Sequence, residues 1–152
     1  MAALIGYAAW PTTAVNNTTS TVIPLVAPTN QRLRVLEYTI SFDGTNSAST
    51  PAVISIERQT GGTFTNTSVA PKKVNDPTGS LETLQASSKN TMTVAPTSGD
   101  QLRSFTIPVF GGTLVYPLPP GQEDLISGGT ILGIKVTTTS TVNVYGGIKY
   151  EE

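Results

Sequence analysis

The sequence predicts an all-β fold, an antiparallel jelly roll or β-sandwich of about eight to ten short strands. Several segments alternate strictly between apolar and polar residues, and clusters of Gly, Pro, Asn and Asp separate them at short intervals. Uninterrupted helical spacing of apolar residues is nearly absent. Alternation is the period of a strand with one buried face, and many short strands divided by turns are typical of sandwiches and barrels.

The clearest strand is LRVLEYTISF, where Leu36, Tyr38, Ile40 and Phe42 are apolar and the residues between them are polar. The same alternation recurs in AVISIERQ, SFTIPV, ILGIKVT and TVNVYGGIKY. We expect the apolar side chains of these segments to form the core. Weaker strands are predicted at residues 22–26, 64–69, 81–85, 92–94 and 114–116.

Glycine pairs mark two further features. Gly111-Gly112, between FTIPVF and TLVY, predicts a hairpin turn. Gly146-Gly147 interrupts the last strand and predicts a bulge or a close approach of two backbones. Residues 70–91 are weakly patterned, and we expect a loop there or a short helix around residues 80–86.

Composition excludes several classes of function. The chain has nine Lys and Arg against ten Asp and Glu, and the basic residues are scattered, so no stripe exists to bind nucleic acid. It contains no Cys and no His, which removes thiolate and histidine catalysis and the commonest transition-metal ligands. We therefore expect no cofactor and no metal. The apolar opening is broken at Pro11 and is too short for a transmembrane helix, so we expect no membrane partner.

Enzymatic activity has little support in the sequence. A hydrolase that uses two carboxylates stays formally possible, and Glu123-Asp124 is the one adjacent acidic pair inside the chain. Neighbouring residues of an extended segment point to opposite sides, which favours a solvated turn over an acid–base couple. We expect no catalytic residues and no enzyme.

The opening MAALIGYAAW is almost wholly apolar, and no charged side chain precedes Arg32. In free water, Leu4, Ile5, Tyr7 and Trp10 would form an apolar patch. Residues 1–10 either form a strand of the protein's own sandwich or belong to an extended arm that docks on another subunit. We adopt the second hypothesis, with residues 1–20 as the arm and residues 21–152 as the β domain.

The aromatic residues divide into two groups. Tyr38, Phe42, Phe105 and Tyr150 fall on apolar faces and are predicted core residues. Four others are expected at the surface: Tyr7, Trp10, Tyr116 and Tyr145. Exposed rings suit protein interfaces or stacking on sugars, so an alternative function is a carbohydrate- or receptor-binding module.

A resemblance covers the chain from about residue 20 to its end. It is carried by RLRVLEYTISFDGT, PAVISIERQTGGT, APKKVNDPTG, LVYPLPPGQEDLISGGTILGIKV and TVNVYGGIKYEE. With these segments the chain resembles small virion proteins of tailed bacteriophages, most closely head decoration (cement) proteins. The resemblance implies a jelly roll that sits as a homotrimer on the capsid exterior, bound to the major capsid protein. We expect the assembly interface to include Leu4, Ile5, Tyr7, Trp10, Phe110 and Tyr116.

Overall fold

A computed structural model of the chain describes residues 4–15, 19–43, 50–64, 70–74, 83–88 and 92–152. Its strands are β1 (Ile5–Val15), β2 (Thr19–Val26), β3 (Leu33–Phe42), β4 (Ala52–Thr60), β5 (Thr63–Phe64), β6 (Lys72–Lys73), β7 (Ser87–Ser88), β8 (Met92–Val94), β9 (Thr97–Ile107), β10 (Thr113–Pro117), β11 (Asp124–Ile126), β12 (Ile131–Thr137) and β13 (Val142–Glu151). The described residues form no helix, and hence none that is long and apolar enough to cross a membrane. The all-β prediction is confirmed, with more short strands than expected.

Two antiparallel sheets pack face to face. The first has the strand order β10-β3-β13-β1-β6, with β11 also paired to β3, and the second has the order β7-β2-β12-β4-β9. In both sheets early strands pair with late ones: β1 with β13, β2 with β12, β3 with β10 and β4 with β9. One long antiparallel ribbon is thus wrapped around a common core, which is the jelly-roll connectivity that the sequence predicts. Strands β5 and β8 form a separate two-stranded sheet.

The core lies between the inner faces of the two sheets. Side chains that are fully buried there include those of Tyr38, Ile40, Ile54, Ile134, Ile148 and Tyr150. Each belongs to a segment whose alternation predicts one buried face. The period-two pattern therefore identifies most of the core correctly.

Strand β3 departs from simple alternation. Leu33 and Val35 are fully buried, Leu36 is half-buried, and burial resumes at Tyr38. The pairing with β13 shifts at this point, since Glu37 lies opposite Lys149 while Val35 lies opposite Tyr150. Leu36 is thus the extra residue of a β-bulge, which reverses the faces on its two sides. The prediction that Leu36 points into the core alongside Tyr38 is wrong for this reason.

Of the two predictions made from glycine pairs, one is wrong and one is confirmed. Gly111 has a φ of 68° and forms a turn, yet β9 lies in the second sheet and β10 in the first, so this turn crosses the sandwich and the predicted hairpin is wrong. At Gly146 the predicted close approach is confirmed, because an added Cβ would overlap the carbonyl oxygen of Thr39.

The weaker predicted strands are partly confirmed. Segments 22–26, 92–94 and 114–116 lie in β2, β8 and β10. Of segment 64–69 the structure describes residue 64, the last of β5. Residues 83–86 are irregular, which contradicts a strand at 81–85 and the end of the short helix, while residues 80–82 lie outside the described part.

The N-terminal segment is a strand of the sandwich. β1 pairs with β13 from Ile5 opposite Glu151 to Val15 opposite Val142. Gly6, Ala8 and Trp10 face the core, and the Trp10 side chain is 5% exposed. The predicted arm over residues 1–20 is therefore wrong for residues 4–15, 19 and 20, which belong to the domain placed at 21–152; residues 1–3 and 16–18 lie outside the described part. The apolar residues at the start of the chain are explained by their place in a strand that packs on the core, and no second protein is needed to cover them.

Candidate functional site

The six predicted interface residues do not form one surface. Trp10 is in the core, and the Tyr116 ring faces the space between the sheets, 5.0 Å from the Phe105 ring and 5.4 Å from the Arg103 guanidinium. Leu4, Ile5 and Tyr7 are half-buried. Phe110 is 68% exposed in the turn between β9 and β10. Of the six, Phe110 alone is fully available for docking.

An uncharged surface lies on the outer face of the first sheet. Directly paired residues of antiparallel strands project from the same face, so the register defines rows of side chains. One row runs through Ala9, Gly147, Thr39 and Val115, and the next through Tyr145, Ser41 and Thr113. These seven residues are called here the uncharged patch. Their grouping into one surface could not be predicted from the sequence, because β1, β3, β10 and β13 are far apart along the chain.

On the rest of this face, charged residues lie among uncharged ones. Glu37 lies opposite Lys149 in the row next to the patch, and Arg34 lies opposite Glu151 in the row beyond. Arg34 and Glu151 form an ion pair, with Nε 2.6 Å from Oε2, and the hydrogen bond to Glu151 raises the pKa of Arg34. The rows of Glu37 and Arg34, which also contain the uncharged Tyr7, Ile5 and Leu125, are called here the charged half of the outer face.

Large apolar side chains are exposed on and beside the uncharged patch. Val115 is 57% exposed and Tyr145 39% exposed, and Phe110 lies in the turn that leads into the patch. This turn is attached to the sheet, since the Phe42 backbone N–H donates to the Gly112 carbonyl at 3.0 Å. Exposure of Tyr145 and Phe110 agrees with the sequence prediction. Apolar groups held on a rigid, uncharged sheet are suited to contact another protein.

Gly147 lets Tyr7 extend toward the patch. A Cβ at Gly147 would overlap the Tyr7 hydroxyl end, so the Tyr7 ring lies directly over this glycine. The ring therefore covers Gly147, and the half-buried Tyr7 forms part of the surface there. The Gly146-Gly147 pair was the signal in the sequence for this approach of neighbouring groups.

A hydrogen-bonded network fixes the edge of the sandwich next to β10. Arg103 Nε and Nη2 donate to the two carboxylate oxygens of Asp124, both at 3.0 Å, and the Tyr38 hydroxyl donates to Asp124 Oδ2 at 2.8 Å. Burial raises the pKa of Tyr38, and the nearby Asp124 charge raises it further, so the hydroxyl remains a donor. Arg103 belongs to the second sheet and Asp124 to the first. The network therefore ties the two sheets together.

This network also corrects the interpretation of Glu123-Asp124 as a solvated turn. Asp124 begins β11 and is half-buried against Arg103 and Tyr38, while Glu123 accepts a hydrogen bond from the Gly121 N–H at 2.8 Å. Both carboxylates have structural partners. Within the described ranges, no group of three or more acidic residues is placed to hold a metal ion.

Comparison with known proteins gives no assignment. No protein-family model matches the chain, and no curated protein or solved structure matches it.

Proposed function

We propose that this protein is a non-enzymatic structural protein of a tailed-phage virion, which decorates and stabilises the capsid exterior as a homotrimer. The observation that carries the proposal is the uncharged patch with the neighbouring Phe110. Through this surface the jelly roll binds the major capsid protein non-covalently. The resemblance over residues 20–152 supports the same assignment.

The chemistry of the patch suits adhesion to a repetitive protein surface. Contact buries the exposed parts of the Val115, Tyr145 and Phe110 side chains, and each Å² of apolar surface removed from water contributes about 25 cal/mol. No charged side chain of the patch has to lose its hydration, so the desolvation penalty of binding is small. The sheet keeps its shape on docking, which limits the entropy lost.

Charge insertion tests the proposal with a matched pair of variants. Val115→Lys places an ammonium in the patch, whereas Leu125→Lys places one on the same outer face, in the charged half. Both residues are exposed, at 57% and 42%, so neither variant disturbs the core. Capsids of the phage that encodes the chain, stripped of this protein, are mixed with each variant and sedimented.

We expect Val115→Lys to occupy capsids at least about ten-fold less than the unmodified protein does. Leu125→Lys should bind capsids like the unmodified protein. Equal occupancy for both variants would contradict docking through the patch. Sedimentation equilibrium of the free protein tests the proposed homotrimer. A purely monomeric species at micromolar concentration would contradict the homotrimer.

The alternative function is a carbohydrate- or receptor-binding module of a phage tail or fibre. One of the two tyrosines expected to stack on a sugar is not available for this. Tyr116 packs against Phe105 and Arg103 and is not free to stack on a sugar. Tyr145 remains exposed. Binding of a glycan that disappears in Tyr145→Ala, with capsid occupancy unchanged, would favour this alternative over decoration.

A further inference from the structure

A polar groove lies on the outer face of the second sheet, away from the uncharged patch. Its volume is about 350 Å³. The described residues that line it are Thr19, Ser20, Thr21, Ala95, Pro96, Ser98 and Lys135. A groove of this size lies at the small end of the range for small-molecule sites.

Lys135 lines one wall of the groove and forms an ion pair with the buried Glu57. Glu57 is 5% exposed, and Lys135 Nζ donates to its two carboxylate oxygens at 3.1 and 3.3 Å and to Ser98 Oγ at 3.2 Å. These contacts use the three N–H groups of the ammonium. The pair is therefore fixed in position and has no net charge.

A second buried hydrogen bond lies beside this pair. Gln59 is 1% exposed, and its Nε2 donates to Thr21 Oγ1 at 3.0 Å. The amide covers Gly133, where an added Cβ would overlap the Gln59 side chain. The hydroxyl of Thr21 is thereby oriented before any ligand arrives.

Strand β9 is irregular next to the groove. Its pairing with β4 shifts between Ile56 and Glu57 and again between Glu57 and Gln59. The shifts place Ser98 opposite Gln59, where its hydroxyl reaches Lys135. Bulges often turn a side chain toward a functional site, and this one brings a hydroxyl to the wall of the groove.

The lining determines which ligands fit. An anion is disfavoured, because Lys135 already binds a carboxylate that would repel a second negative charge. The lining combines hydroxyl groups on Thr19, Ser20 and Ser98 with the exposed apolar side chain of Ala95, next to the buried Pro96. A neutral sugar ring has the matching pattern, with hydroxyl groups around its edge and apolar C–H groups on its faces.

We propose that this groove binds one neutral sugar unit of a glycan. The hydroxyl groups of Thr19, Ser20 and Ser98 exchange hydrogen bonds with the sugar hydroxyls, and the exposed Ala95 side chain packs against its apolar face. The inference goes beyond capsid decoration: a protein docked through the first sheet would present the second sheet, and this groove, to the surroundings of the particle.

The tests are saturation-transfer NMR of the full chain with glucose, galactose and N-acetylglucosamine, and amide chemical-shift mapping with inorganic phosphate as the anionic probe. We expect transfer from the protein to at least one sugar. Ala95→Leu fills the groove, and we expect at least about ten-fold weaker binding. Val94→Leu alters the neighbouring residue, which is 56% exposed and outside the lining, and should bind normally.

A second pair of variants distinguishes the loss of one hydroxyl group from blockage of the groove. Ser98→Ala removes one hydroxyl and keeps both Lys135–Glu57 contacts, while Ser104→Ala changes an exposed serine of the same strand. We expect weaker sugar binding in the first variant alone. Absence of transfer to every sugar, transfer that survives Ala95→Leu, or shifts caused by phosphate alone would overturn the proposal.

Discussion

Trp10 lies opposite Gly146 in the ladder that joins β1 to β13, and its indole is buried in the core of its own chain. Gly146 contributes no side chain, and Ile23 Cδ1 lies 3.0 Å from where a Cβ would stand there. The N-terminal strand is thus part of the packed interior. Trp10 is therefore not available for contact with another protein.

The first prediction concerns the burial of Trp10. We expect Trp10→Ala to lower the free energy of unfolding by about 3–5 kcal/mol, because it leaves a large cavity. Ala9→Ser, on the outer face of the same strand, should change it by less than about 0.5 kcal/mol. Urea denaturation measures both. A Trp10→Ala variant as stable as the parent would restore the hypothesis of a free arm.

The second prediction concerns the Tyr150 hydroxyl. It is buried and has no hydrogen-bond partner among the described residues, and burial raises its pKa. An unpaired buried hydroxyl costs about 1–3 kcal/mol, so Tyr150→Phe should leave the protein equally stable or more stable. Thermal and urea denaturation test this. A clear loss of stability in Tyr150→Phe would mean that the hydroxyl has a partner.

The third prediction concerns the link between the sheets. Asp124→Asn weakens both contacts to Arg103 and the contact to Tyr38, and we expect a loss of about 2 kcal/mol in unfolding free energy. Asp100→Asn is the control: Asp100 is highly exposed and lies 3.6 Å from Arg58, so its effect should stay below about 0.5 kcal/mol. Similar losses in the two variants would argue against a special role for the network.

The fourth prediction concerns pH. Burial alone would raise the pKa of Glu57, but hydrogen bonds from Ser98 and Lys135 outweigh it and hold the pKa below its ordinary value of 4.5. A carboxyl with a lowered pKa in the folded state stabilises the protein above its unfolded pKa and loses this effect as pH falls through the folded value. Unfolding free energy should therefore decline below about pH 4.5 less steeply in Glu57→Gln than in the parent. Parallel pH profiles would contradict this.

Alternation predicted the fold well because most strands have one buried and one exposed face. Strand β12 and the second half of β3 were identified in this way. Local patterns could not distinguish a hairpin from a turn that crosses the sandwich, since Gly111-Gly112 fits both. Nor could they reveal the bulge at Leu36, because it depends on the pairing with β13.

The proposed docking surface was only partly predictable. Exposure of Tyr145 follows from its phase in the last strand, and Phe110 from its place next to Gly111. Ala9, Thr39 and Val115 form one row because the register of four strands brings them together. A sequence shows the period of a strand but not its partners, so this uncharged patch could be identified only from the fold.

The most direct test of the account is an electron cryomicroscopy reconstruction of capsids decorated with the purified protein. We predict that the outer face of the first sheet contacts the capsid, with Val115, Tyr145 and Phe110 in the interface and the groove near Lys135 facing outward. A reconstruction in which the second sheet contacts the capsid and Val115 remains in solvent would contradict the account, as would particles that carry none of this protein.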